Sequence, residues 1–347
     1  MNALSRRTFL SKTLGAGTAL AFAPGPWVRA ARALSLTGKH RHLHARAHYS
    51  MHTLVEVVAV GSKAVKLPAA CEAAFAACRK VDAAMNFYNP SSELSRLNFA
   101  GAQGDWVEVS AALFEVLADA RRVYEASEGA FDPTVGASVL LFRKAREQGA
   151  WPDAAAAENA ARSIGFSSVD LDASRQTVRL GHTGTLLDLS GIAKGFAVDE
   201  AVRAMREAGA TGGIVNAGGD LFAFGPHAEE LPPITIEDPF EPGKMRESLA
   251  ILEEGLATSG DSEEGVIVQG RPCSHLMDPS RGAPVQAAVG SASARAGSAA
   301  LADAWASALY VRPTLQACSG VESLLIVDAK QERASKAFFK RPQRSAL

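Results

Sequence analysis

Apolar and polar positions alternate through a valine-rich run at residues 53–60, which predicts the first strand. Pro68 then opens a helix whose apolar and alanine positions continue to Met85, and residues 91–98 read as a short capped helix, with serines and Glu93 placed to satisfy orphan N–H groups. A second long helix is predicted over 110–127, an alanine-rich one over 151–164, and a hairpin from 169–171 and 177–180. Residues 185–189 predict a strand that feeds a small-residue turn, and 194–208 a strongly patterned helix stopped by Gly209.

The second half is rich in short strands. Residues 212–224 read as a strand, a glycine turn and another strand; because the turn leads into Leu221-Phe222-Ala223-Phe224 and not into a helix, a dinucleotide-binding fingerprint is excluded. Further strands at 234–237, 248–252, 256–259, 265–268 and 287–294 precede a last helix over 297–310. Strands grouped here and helices clustered elsewhere predict an α+β fold, with mixed, mostly antiparallel sheets and flanking helices.

Composition changes the picture at the N-terminus. Ser5-Arg6-Arg7-Thr8-Phe9-Leu10, a short apolar run over 14–22, Pro24-Gly25-Pro26 and Ala31-Arg32-Ala33 together make a secretory signal of twin-arginine type over residues 1–33. The expectation is cleavage after Ala33 and export of a folded protein to a bacterial periplasm, with no stable membrane insertion afterwards. Residues 34–50 carry most of a histidine tract (His40, His42, His44, His48 and, just beyond, His52) and are expected to be a flexible linker without chemistry. A net charge of −1 lacks the cationic excess that nucleic-acid binding needs. The 4 cysteines form no CxxC pair and are read as small buried hydrophobes.

Three stretches are candidates for chemistry. Leu187-Asp188-Leu189-Ser190-Gly191-Ile192-Ala193-Lys194-Gly195 joins a strand end to a helix start where an acid and a lysine converge; it is either an ordinary connection with a capping serine or a place to hold a charged ligand. Asp303 and Ser307 are four apart on the last helix, so their side chains share a face about 6 Å apart. Such oxygens suit a hard cation like Mg²⁺, or form an i,i+4 hydrogen bond on a solvent face. His275, in a loop bounded by Asp278-Pro279, has the residue type of a general base or ligand contact. No Ser-His-Asp order, HExxH or phosphate-binding GxxxxGK[ST] is present.

Taken in order, these stretches resemble one family, the FAD:protein FMN transferases or ApbE family. The resemblance is carried by Met51-His52-Thr53, Phe87-Tyr88, Ser92-Glu93-Leu94-Ser95-Arg96-Leu97-Asn98, Gly129-Ala130-Phe131-Asp132-Pro133-Thr134, Asp188 to Gly195, Asn216-Ala217-Gly218-Gly219-Asp220, Thr258-Ser259-Gly260, His275 to Pro284, and Ala302-Asp303 through Ser307. It implies a two-lobed catalytic domain over 51–330, with 331–347 as a tail. The implied reaction is Mg²⁺-dependent transfer of the FMN moiety of FAD to a threonine hydroxyl of an acceptor flavoprotein, a redox-complex subunit or flavin-dependent reductase, with AMP released. The alternative is an FAD-binding protein or an FAD pyrophosphatase giving FMN and AMP. By resemblance, Gly191, Asp303 and Ser307 would hold the metal, and Met51, Tyr88, Ala130, Phe131, Asp132, Asp188, Lys194 and His275 would contact FAD. His275 and Asp303 would be catalytic. The family usually has threonine at the position of Ser307 and glycine at that of His52; serine keeps the oxygen but loses the methyl that fixes χ1.

Overall fold

A computed structural model describes residues 28–29 and 42–340 apart from 102, 226–233, 242, 262–265 and 287. Among the described residues eight strands form one antiparallel sheet whose spatial order follows the chain. They are β1 (Leu43–Ser50), β2 (Thr53–Val60), β3 (Gly212–Ala217), β4 (Asp220–Phe224), β5 (Glu254–Gly260), β6 (Ser291–Ala296), β7 (Glu322–Ile326) and β8 (Glu332–Ala334). Period-2 alternation sorts the strand side chains between two cores. Val55, Val57 and Ala59 of β2 face the larger cluster, on the helical side, while Val58 joins Ile214, Leu221 and Leu256 in a smaller one. That second face is covered by a ribbon of residues 234–237 and 245–249, through Ile234, Ile236 and Leu249.

Between β2 and β3 the chain inserts α1 (Leu67–Met85), α2 (Glu93–Gly101), α3 (Ala111–Ala126), α4 (Gly136–Gln148), α5 (Ala154–Arg162) and α6 (Ala193–Glu207); α7 (Ala299–Val311) follows β6. Ser110 caps α3, accepting from Leu113 N at 3.2 Å, so the predicted helix start is where the cap geometry puts it. α7 is buried on nearly every side, lying against α6 and the sheet. Gly195 permits that approach: a Cβ there would stand 2.2 Å from the Ala299 carbonyl oxygen.

Several expectations are corrected. Residues 43–50, read as a linker, pair along their whole length with β2. Residues 185–189 form no ladder strand; Leu186 makes an isolated bridge to Val135, and Leu187 is held by the Asn98 side chain, at 2.8 Å to its N–H and 2.9 Å to its carbonyl. α4, β7 and β8 have no counterpart in the sequence reading. Cys71, Cys78 and Cys273 are buried as expected, but Cys318 is exposed; burial pushes the Cys71 and Cys78 thiols up to about 12. Of the expected signal segment only Val28 and Arg29 are described, and Val28 is buried in the smaller core with its N–H on Glu56 Oε1 at 3.1 Å; the twin-arginine motif and the Ala33 cleavage site lie outside the described residues.

Candidate functional site

The turn at 187–195 and the Asp303 face of α7, more than a hundred residues apart in sequence, meet in space. α6 begins at Ala193 with no side-chain cap of its own, and Asp303 Oδ2 accepts from the Gly195 N–H at 3.1 Å. In return Asp199 of α6 accepts from the first two N–H groups of α7, Ala299 at 2.8 Å and Ala300 at 2.9 Å. Each helix thus supplies the carboxylate that satisfies the other's N-terminal donors. Serine capping of α6 is not what the structure uses; Ser190 N–H instead donates to Asp188 Oδ1 at 2.9 Å.

A Cβ at Gly191 would lie 3.3 Å from Ser307 Oγ and 3.3 Å from Phe131 Cε2, so the turn, the α7 hydroxyl and the Phe131 ring are in contact. Ser307 Oγ is also 3.2 Å from Ser259 Oγ at the end of β5. Asp303 and Ser307 are buried, at 4% and 7% exposure, which removes the reading of a hydrogen bond on a solvent face. Lys194 Nζ is paired with the buried carboxylate of Asp220, at the start of β4. Burial, then the Asp220 charge, push the Asp303 carboxyl up to about 7, against the pull of Lys194. Burial also raises Asp220, with Lys194 opposing. Among the described residues no group of three His, Cys, Asp or Glu side chains could hold a metal. The side-chain donors that meet here are instead the Asp303 carboxylate and the Ser307 and Ser259 hydroxyls beside the Gly191 turn, and such oxygen donors suit a hard cation.

The remaining residues surround this centre. Ala130, Phe131 and Asp132 are buried; Asp132 Oδ1 takes the N–H and hydroxyl of Thr134 at 2.8 and 2.6 Å, and Oδ2 the Phe166 N–H at 3.2 Å, so its carboxylate ties its own loop to the turn at 166–168. That loop reaches the turn through Asp188 N–H on Pro133 O at 2.7 Å. Burial raises the Asp188 pKa. Met51 and His52 form the tight β1–β2 connection, both at positive φ (52° and 59°). Thr53 beside them packs on Gly218, where a Cβ would be 2.3 Å from Thr53 Oγ1, and so adjoins the turn that presents Asp220. Tyr88 is 44% exposed and lines a cavity of about 590 Å³ together with Phe87, Arg96 and Phe99. Arg143 of α4 lies over the Tyr88 ring at 4.3 Å, and Arg146 of the same helix donates to Ser274 O at 3.0 Å, next to His275.

His275 Nδ1 lies 3.0 Å from Asp261 Oδ1. Asp261 and Asp220 are among the site residues to which the sequence reading gave no role. Asp220 stood in a quoted motif and Asp261 directly follows another, Thr258-Ser259-Gly260; the partner of Asp220 lies 26 positions away and those of Asp261 lie 13, 14 and 49 away.

The model of the ApbE family matches residues 51–329. The FAD:protein FMN transferase of Haemophilus influenzae is 32% identical over 242 residues, covering 67% of this chain and 69% of that protein. The FAD:protein FMN transferase of Treponema pallidum is 31% identical over 314 residues, 84% of this chain and 86% of that protein. Among solved structures, the ApbE protein of Thermotoga maritima superposes with a TM-score of 0.77 at 27% identity, over 86% of this chain and all (100%) of that one. The flavin transferase ApbE of Vibrio cholerae gives 0.74 at 25% identity, over 85% and 98%.

Proposed function

This chain belongs to the ApbE family, and from that membership we propose that it transfers the FMN moiety of FAD to a threonine hydroxyl of an acceptor flavoprotein, with AMP released. The observation that carries the reading is the meeting of the 187–195 turn with the Asp303/Ser307 face of α7. Asp303, Ser307 and the Gly191 carbonyl would hold Mg²⁺, which when bound neutralises charge on the FAD diphosphate. Lys194, held by Asp220, places a second positive charge beside it. Phe131, Ala130, Asp188, Met51 and Tyr88 would line the flavin nucleotide, with Asp132 fixing the Phe131 loop. His275 would take the proton of the attacking hydroxyl or contact the diphosphate. In transfers of this kind catalysis is mostly positioning and charge neutralisation, which a rigid, buried wall supplies.

The test follows both products. Purified protein, FAD, Mg²⁺ and an acceptor with an Asp/Ser-Gly-Ala-Thr-like site should give AMP in equal amount to flavin bound covalently to the acceptor. AMP with free FMN and an unmodified acceptor would replace the transferase by an FAD pyrophosphatase. We further propose export by the twin-arginine route to the periplasm; Arg6→Lys together with Arg7→Lys should leave the protein in the cytoplasm, and unchanged export would refute it.

A further inference from the structure

Most aspartates in the loops around this site serve their own backbone: Asp132, Asp188 and Asp278 each accept from N–H groups two residues on. Asp261 does not. Its Oδ1 takes Ser274 Oγ at 2.8 Å and His275 Nδ1 at 3.0 Å, and its Oδ2 takes the Tyr310 hydroxyl at 3.0 Å. Three side chains from two separate elements converge on one carboxylate just past the end of β5. Tyr310 is 1% exposed and sits on α7, seven residues after Asp303 and three after Ser307. Two rungs therefore tie the end of β5 to α7, Ser259 to Ser307 and Asp261 to Tyr310.

A carboxylate only accepts hydrogen bonds, so in neutral His275 the nitrogen facing Asp261 carries the proton and the other one is bare. We propose that Asp261 is a positioning residue that fixes His275 as the Nδ1–H tautomer, leaving Nε2 to accept the proton of the acceptor threonine, while Tyr310 sets this pair at a fixed place relative to the Asp303/Ser307 wall. The inference rests on the transfer reading given above. In the step, the threonine O–H proton passes to Nε2, the oxygen bonds to the FMN phosphorus, and the bond from that phosphorus to the oxygen of AMP breaks. AMP departs with that electron pair, and Asp261 stays ionised throughout. Burial alone would raise the Asp261 carboxyl, but hydrogen bonds from His275 and Ser274 outweigh it and hold the group below the usual range.

The test uses the full chain with FAD, Mg²⁺ and a threonine acceptor. ¹⁵N-histidine spectra, with His275 assigned by its loss in His275→Gln, should show a protonated Nδ1 and a bare Nε2 in the wild type; the opposite tautomer overturns the proposal whatever the activity. Asp261→Asn should lower kcat by about 10²-fold, the lower end of what a positioned base contributes, with FAD affinity from flavin fluorescence unchanged within about two-fold. Adding His275→Gln to it should cost nothing more, because the two act as one unit. Retained kcat, or multiplied losses in the double variant, would refute the assignment. If Asp261→Asn does not fold, Tyr310→Phe removes one bond from Asp261 and should lower kcat several-fold, unchanged kcat counting against the proposal. Absence of transfer by the wild type would fall on the transfer reading alone, and the tautomer would still decide the role of Asp261.

Discussion

Asp303 has one observed duty and one proposed one, which substitution can separate. Its Oδ2 caps α6 through Gly195 N–H, and its charge is what a cation would bind. Asp303→Asn keeps an oxygen for the cap and should leave the melting temperature near wild type while abolishing Mg²⁺-dependent turnover; Asp303→Ala should lose turnover and also about 1–2 kcal/mol of stability, the range for a lost cap. Full turnover in the asparagine variant would refute the metal assignment. Asp261 makes a pH-dependent contribution whose sign is set by its lowered folded pKa. The folded state binds that proton less tightly than the unfolded chain, so the stability is present above the ordinary carboxylate range and is lost as the pH falls through it toward the folded value. Urea unfolding should find wild type more stable than Asp261→Asn at about pH 7, with the gap closing below about pH 4; a gap that widens in acid would contradict this. Residue types were legible where a motif carries them, as at Asp188, Lys194 and Asp303. Asp261 was not, because an aspartate after Gly260 has the same local signature as any turn, and its partners arrive from the loop at 274–275 and from α7.

At the scale of elements, periodicity and caps gave α1, α3, α6 and β2 nearly at their observed limits, and it failed where those signals are weak. β1 is an edge strand with two buried positions in eight, its histidines and arginine masking the alternation, so it reads as a polar linker. α4 follows Val135, an N-cap residue without a side-chain cap bond, and its second half, Arg143-Lys144-Ala145-Arg146-Glu147, has little apolar character. Residues 185–189 have the pattern of a strand, yet their hydrogen bonds go to Asn98 and to the 133–136 loop and not to a sheet. The helix pair itself is the most demanding element. A methyl at Gly195 would meet the Ala299 carbonyl at 2.2 Å, so Gly195→Ala should push α6 from α7 and cost about 1–3 kcal/mol or more, the range for overpacking. Denaturant unfolding measures it, and a neutral result would mean that the two helices are not locked as described. Because the same shift moves the Gly195 N–H from Asp303, Mg²⁺ dependence should weaken as well.

Across the described residues the eight-stranded sheet is an antiparallel meander in which consecutive strands of that sheet remain neighbours, and the long excursion between β2 and β3 returns the 187–195 turn to the last helix. The sheet and the larger core pack against α7, and α7 carries Asp303, Ser307 and Tyr310 on one side, so the proposed metal wall and the His275 network would share one support. The sequence made this juxtaposition predictable through the family resemblance; spacing alone does not place residue 191 beside residue 307. The most direct measurement is the intact mass of an acceptor protein after incubation with FAD and this chain, with Mg²⁺ or with EDTA, and with wild type or Asp303→Asn. One added FMN per acceptor with wild type and Mg²⁺, and none in the other three mixtures, is the predicted result. An acceptor left unmodified by wild type with Mg²⁺, or modified equally in EDTA or by Asp303→Asn, would contradict the account.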